Sequence, residues 1–315
     1  MQAAVQATQT SGRRTYVVVG AGAVGCYFGG MLARAGIPVT LVGRATHVDA
    51  IRAHGLRLQT TSFDQQVSIA ASTEISAVSE ADVVLFCVKS TDSEATARQL
   101  LPLLKPGAVL LSLQNGVENA DILRGVLKNT VIPAVVYVAT EMAGPGHLLH
   151  HGRGELVIGE SDASAAIVAD FAEAGVPVQV DANVMGSLWA KLIVNCAYNA
   201  LSAIAQKPYG ELVKVDGIPE LMRIVVDECI AVARADGIAV PGDPYEAVRR
   251  IASTMAGQYS STAQDVARGK PNEIDYLNGY VVRRGSAHGI ATPVNQTLLS
   301  LVKLVEKNSN HKNAA

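Results

Sequence analysis

Charge, aromatic rings and cysteine are all scarce in this 315-residue chain: 17% of residues are charged, 4% are aromatic, and there is one Trp and four Cys. A net charge of -2, with no polybasic run, leaves no basic field to hold nucleic acid or an anionic membrane surface. The four cysteines, Cys26, Cys87, Cys196 and Cys229, are far apart and form no C-x-x-C pair or dense framework. They read as reduced core residues of a cytoplasmic protein rather than a disulfide scaffold or zinc site. Residues 1–14 are polar and lack the apolar stretch of a secretory signal, so they read as a loose extension. An uncharged run at 15–33 has membrane-helix length, but five glycines and a strand-turn pattern argue against a membrane span. Small-molecule chemistry is what remains.

The chain is about twice the length of a typical single domain, which predicts two domains with a crevice between them. In the first half, short β-branched runs alternate with helical stretches, the pattern of a parallel sheet wrapped by helices. Strands are expected at 16–19, 39–42, 82–88, 108–113, 131–139, 155–158 and 176–180, with a helix at 163–173. After about residue 181 the strands cease and long helical periodicities take over, broken at Pro208, Gly217, 241–244 and Pro271. This predicts an α/β domain over 15–182 and an all-helical domain over 183–315. No internal repeat or low-complexity tract interrupts either.

The first expected strand runs directly into Gly20-Ala-Gly22-Ala23-Val24-Gly25 and then into a helix at 23–35. In that setting G-x-G-x-x-G has a physical meaning. The first glycine permits the tight turn, the second lets a pyrophosphate approach the backbone, and the third lets helix pack on strand, while the helix amino terminus presents N–H groups to phosphate. The first domain is therefore read as a Rossmann-type dinucleotide-binding domain. At the end of the second strand an NAD enzyme places Asp or Glu to bind both ribose hydroxyls; here the sequence is Val42-Gly43-Arg44. The guanidinium fork of Arg44 suits the 2′-phosphate of NADP, with His47 close by, although Arg44 can equally be a solvated loop residue. Two further strand ends, Lys89-Ser90-Thr91 and Gln114-Asn115-Gly116, place polar groups where such sheets hold nicotinamide and substrate; taken singly, each serves as well as a cap or turn.

In the strongly apolar stretch 186–204, Lys191, Asn195 and Asn199 recur at i, i+4 and i+8 and so form one polar stripe on a buried helix. Burying such groups without partners costs about 1–3 kcal/mol per amide, and more for a charge. Either an interdomain hydrogen-bond network meets the stripe, or Lys191 reaches solvent through its long stem, or Lys191 is a general acid of lowered pKa that protonates a carbonyl oxygen. A second constellation, 259–265 followed by 271–279, offers hydroxyls for a carboxylate and Glu273 as a helix-dipole partner or an active-site acid.

These motifs, in this order, resemble the ketopantoate reductase family: the glycine turn, Val88-Lys89-Ser90, Gln114-Asn115-Gly116, Trp189-Ala-Lys191 with Asn195 and Asn199, Ser260-Ser261 with Gln264-Asp265, and Asn272-Glu273-Ile-Asp275 with Asn278-Gly279. The resemblance extends from about residue 15 to 307. It implies NADPH-dependent reduction of 2-dehydropantoate to pantoate in pantothenate and coenzyme A synthesis. It implies Lys191 as proton donor and Glu273 as its catalytic support. Gly20, Gly22, Ala23, Val24, Gly25, Arg44, Lys89 and Asn115 correspond to cofactor contacts, and Asn115, Lys191, Asn195, Asn199 and Ser261 to contacts with a small 2-oxo acid. Two positions depart from some members, which carry asparagine where this chain has Gln258 and Tyr209. Folds of this kind occur as monomers and homodimers, and no helix here is diagnostic. His147, His150 and His151 lack a carboxylate at metal-ligand spacing, so no metal is expected and they read as exposed residues of a β-hairpin.

Overall fold

The structure is a computed structural model that describes residues 12–313, with side chains described to residue 308. In chain order the first part contains β1 (Tyr16–Val19), α1 (Ala23–Arg34), β2 (Val39–Val42), α2 (Ala45–His54), β3 (Leu56–Gln59), β4 (Asp64–Val67), β5 (Ala70–Ser72), β6 (Val83–Phe86), α3 (Ser93–Leu100), β7 (Val109–Ser112), α4 (Asn119–Val126), β8 (Thr130–Gly144), β9 (His147–Ile158), α5 (Ser164–Glu173) and β10 (Val178–Val180). Helices follow: α6 (Val184–Ala205), α7 (Tyr209–Leu212), α8 (Ile218–Ala235), α9 (Pro244–Thr254), α10 (Ser261–Ala267), α11 (Asn278–Ala287) and α12 (Pro293–Asn313).

One half of the sheet runs β5-β2-β1-β6-β7-β8, all parallel. Every residue of β1 and β6 is buried, as strands covered on both faces must be. One face packs Tyr16, Val18 and Leu41 against Phe28 of α1 and Phe171 of α5. The other packs Val17, Val19 and Val84 against Leu100 of α3 and Leu123 of α4. Beyond β8 the sheet turns mixed. β9 pairs antiparallel with β8, then carries β3 and β10 in parallel, and β4 closes the edge antiparallel to β3.

Three of these strands, β3, β4 and β5, are not expected from the sequence, and β8 and β9 are longer than expected. β4 reads Asp-Gln-Gln-Val with three of four residues exposed, which is how an edge strand hides from a search for apolar runs. Residues 1–11 of the expected extension lie outside the described residues. Arg13 and Arg14 are tied to α5 by ion pairs to Glu173 and Asp170, each at 2.6 Å.

The helices after residue 183 pack around α6, whose Trp189, Ile193 and Cys196 are almost wholly buried among Val225 and Cys229 of α8 and Val302 of α12. α6 is long and apolar enough to cross a membrane, but 67% of that apolar window is buried inside the fold, as in a core helix.

Candidate active site

The glycine turn divides by function. Gly20 sits at φ +111, and a Cβ there would lie 2.7 Å from the Cys87 carbonyl carbon; a Cβ on Gly25 would lie 2.2 Å from Gly20 O. Both glycines are demanded by the protein's own packing. Gly22, the N-cap of α1, is different: a Cβ there meets no protein atom within 4 Å. The free space lies at a helix amino terminus whose first N–H groups, at Ala23, Val24 and Gly25, have no intrahelical partner, so the donor set fits a pyrophosphate. Gly25→Ala is therefore expected to lower the melting temperature by several degrees, through an overpacking cost of about 1–3 kcal/mol. Gly22→Ala should melt with the wild type and lose dinucleotide affinity; calorimetric titration with a dinucleotide beside thermal melts checks the pair.

Arg44 is exposed at the N-cap of α2, directly after β2. His47 accepts a hydrogen bond at Nδ1 from Gly146 N at 3.4 Å, and burial, then the neighbouring Lys270 and Arg44, hold its pKa below the ordinary value. This end of the site is thus cationic, through Arg44 and Lys270, with no carboxylate among these groups.

At the other end, β6 and β7 deliver Ser90 and Asn115, and α6 delivers Lys191. The Lys191 ammonium donates to Asn115 Oδ1 at 2.9 Å and to the Val136 carbonyl of β8 at 2.5 Å. Desolvation lowers its pKa to about 8, helped by the Arg153 charge and opposed by Glu273. Glu273 lies just before a 3-10 turn at Ile274–Tyr276 and is 8% exposed. Its carboxylate crosses to the first domain and accepts from Ser90 N at 2.8 Å and Ser90 Oγ at 2.7 Å. Behind Ser90 runs a buried polar chain. Asn119 donates to the Asn115 carbonyl at 2.6 Å, Ser93 donates to Asn119 Oδ1, and Gln114 donates to Ser93 Oγ and the Val88 carbonyl. Such a chain locks Asn115 and Ser90 in place, because each member has its partner.

Asn195 is half-buried and Asn199 is 3% exposed, both on the same helix face as Lys191. Ser260, not Ser261, is the buried cap of α10: its Oγ accepts from Ala263 N and lies 3.2 Å from the Asn199 carbonyl, while Ser261 is exposed in the first turn beside it. Lys89 reaches across the domain boundary to Asp265 of α10 at 2.6 Å. The Tyr209 ring packs at a tilt against Tyr198, centres 4.7 Å apart, and its N–H donates to the Gln258 carbonyl, so packing and backbone bonding engage both departing positions. Sequence reasoning overlooked Ser93 and Asn119, whose lone signal was their place just after polar strand ends. It also overlooked Tyr137 and Arg153 beside Lys191, which carried none.

The histidines need a correction. His150 is not an exposed hairpin residue: it is 9% exposed, stacks on Tyr27 at 4.5 Å, and lies with Nε2 2.9 Å from the Arg153 carbonyl. The hairpin is longer than expected and its inner face packs on α1. Among the described residues no group of three or more His, Cys, Asp or Glu is placed to hold a metal.

Residues 16–163 match the family described as ketopantoate reductase PanE/ApbA, and residues 183–306 match its C-terminal part. The chain is 36% identical to a 2-dehydropantoate 2-reductase of Halobacterium salinarum, covering 92% of this chain and 98% of the relative. It is 60% identical to a PanE/ApbA family ketopantoate reductase of Ralstonia eutropha JMP134 of known crystal structure, with a TM-score of 0.92 over 94% of this chain and all of that one. A D-mandelate dehydrogenase solved with NADH and anilino(oxo)acetate superposes with a TM-score of 0.86 at 25% identity, covering 94% of this chain and all of that one. Both parts of the family match in order and the relatives are covered over almost the whole chain, so the protein belongs to the ketopantoate reductase family.

Proposed function

We propose that this protein reduces 2-dehydropantoate to pantoate with NADPH in the cytoplasm, with Lys191 as the general acid. In this reading residues 15–182 form the cofactor domain and 183–315 the substrate domain, and a small 2-oxo acid lies in the crevice between them. The observation that carries it is the Lys191 ammonium, desolvated and aimed at Asn115 where β7 ends. Gly20, Gly22, Ala23, Val24 and Gly25 would cradle the pyrophosphate, Arg44 the 2′-phosphate, and Lys89 and Asn115 the nicotinamide end. Bound there, NADPH supplies hydride to the ketone carbon. Lys191 gives its proton to the carbonyl oxygen as charge develops on it, and Asn115 steadies that oxygen as a second donor. Asn195, Asn199 and Ser261 orient the carboxylate and distal hydroxyl, and Glu273 fixes the cleft wall through Ser90.

The test is the loss of NADPH absorbance with 2-dehydropantoate, set beside a panel of other 2-oxo acids and NADH. A strong preference for 2-dehydropantoate with NADPH is expected, and silence on every acid would overturn the reading. Arg44→Asp should raise KM for NADPH by roughly 10–100-fold, because a bidentate cation is replaced by a like charge facing phosphate, and hold or improve NADH turnover, because an acid there can bind both ribose hydroxyls. The D-mandelate dehydrogenase likeness supports a second reading, the same chemistry on another branched 2-oxo acid with NADH. Turnover confined to such an acid would decide for it.

A further inference from the structure

The β8–β9 hairpin carries an unexplained strain beside Lys191. Gly152, Arg153 and Gly154 have φ of +149°, +60° and +127°, three left-handed residues in succession within a strand. Glycine accepts this freely, but arginine pays roughly 1 kcal/mol. The pairing register of β8 and β9 also shifts between Tyr137 and Val138, directly opposite. What the distortion achieves is a side-chain placement. Arg153 folds back so that its guanidinium lies 4.2 Å over the Tyr137 ring, with Nε and Nη2 both donating to Glu155 Oε1 at 2.8 and 2.6 Å. The Lys191 ammonium stands 5.8 Å from the centre of the same ring. One aromatic ring thus serves two cations.

We propose that Arg153 is a positioning residue for Lys191: clamped by Glu155 on the Tyr137 ring, it is a fixed cation that crowds the ammonium toward Asn115. This rests on the reading of Lys191 as proton donor. A ring face attracts a cation, and a guanidinium already on it, held by a carboxylate, takes much of that attraction and adds like-charge repulsion. The ammonium is left with Asn115 Oδ1 and the Val136 carbonyl as its partners, and its proton is easier to release. The other charged and titratable groups facing this cluster are Glu273 from the loop before α11, whose charge favours the ammonium, Glu155, the Tyr137 hydroxyl, and Asp181 ahead of α6, which accepts from Ser187 Oγ. None of these is a cation, so among the described groups facing the ammonium Arg153 alone repels it, and removing it acts in one direction.

The backbone makes the experiment clean. Asparagine tolerates the left-handed region well, so Arg153→Asn should fold, whereas a substitution that fights φ +60° would confuse the result. The pH dependence of kcat/KM is measured for wild type, Arg153→Asn and Arg153→Lys, with melting temperatures alongside. In Arg153→Asn the alkaline limb is expected to move upward by roughly half to one pH unit, with kcat several-fold lower and KM for the oxo acid within about twofold. Arg153→Lys, which keeps a cation, should restore the wild-type limb. If Arg153→Asn shares the wild-type limb and differs in melting temperature alone, Arg153 merely ties two strands and the inference fails. A Lys191→Ala variant with an unchanged alkaline limb would instead overturn the proton-donor reading on which the inference stands.

Discussion

Lys191→Ala is expected to lower kcat by roughly 10²–10⁴-fold, the usual worth of a positioned general acid, with a far smaller change in KM. The side chain offers its proton to a group that needs it only as the carbonyl oxygen gains charge, so its loss falls on the chemical step. The pH dependence has a definite sign. The donor is the ammonium, whose pKa burial brings down to about 8, so reduction should decline as pH rises through 8. Lys191→Arg should not rescue, because a guanidinium holds its proton across the whole accessible range. Stability moves the other way. The folded pKa lies below the ordinary 10.5, so between pH 8 and 10.5 the unfolded chain binds more protons at this residue than the folded one. Over that window the wild type should gain stability relative to Lys191→Met as pH rises, and below 8 the difference should be flat. Parallel denaturant titrations of the two proteins at several pH values check this, and a difference independent of pH would show that the ammonium is not desolvated.

The glycine turn and the Lys191 stripe were legible in the sequence because both depend on short-range spacing. G-x-G-x-x-G follows from a strand, a turn and a helix in immediate succession, and i, i+4, i+8 is one face of a helix whatever surrounds it. Groups that act together across the domain boundary were not legible. Ser90 meets Glu273 at a separation of 183 residues, and no local pattern links a serine after a strand to an acid before a 3-10 turn. Of the alternatives left open for Glu273, the helix-dipole partner kept it within its own segment; its carboxylate instead leaves that segment and binds Ser90 of the first domain. Arg153 was hidden for another reason. Its meaning lies in a positive φ and a shifted strand register, and Gly-Arg-Gly in a polar hairpin reads as an ordinary turn.

Glu273→Gln is expected to lower kcat by roughly 10–100-fold and to move the alkaline limb of the pH profile downward, opposite to the shift expected for Arg153→Asn. The reason is the balance of charge at Lys191. Glu273 favours the charged ammonium while burial and Arg153 disfavour it, so neutralising the acid leaves only the disfavouring influences. The amide also serves Ser90 less well. One Glu273 oxygen now accepts from both Ser90 N and Ser90 Oγ, and those two donors are retained only if the glutamine oxygen turns toward them. Glu273→Ala removes the acceptor outright and strands a buried N–H, at a cost of about 1–3 kcal/mol, so it should also lower the melting temperature. Hydrogen exchange at the Ser90 amide would report that loss directly: faster in Glu273→Ala and close to wild type in Glu273→Gln. A pH limb that stayed fixed in Glu273→Gln while the Ser90 amide stayed protected would leave Glu273 as a strut between domains with no electrical hold on Lys191. Opposite displacements in Glu273→Gln and Arg153→Asn would instead mean that two domains and a strained hairpin jointly set the acidity of one ammonium.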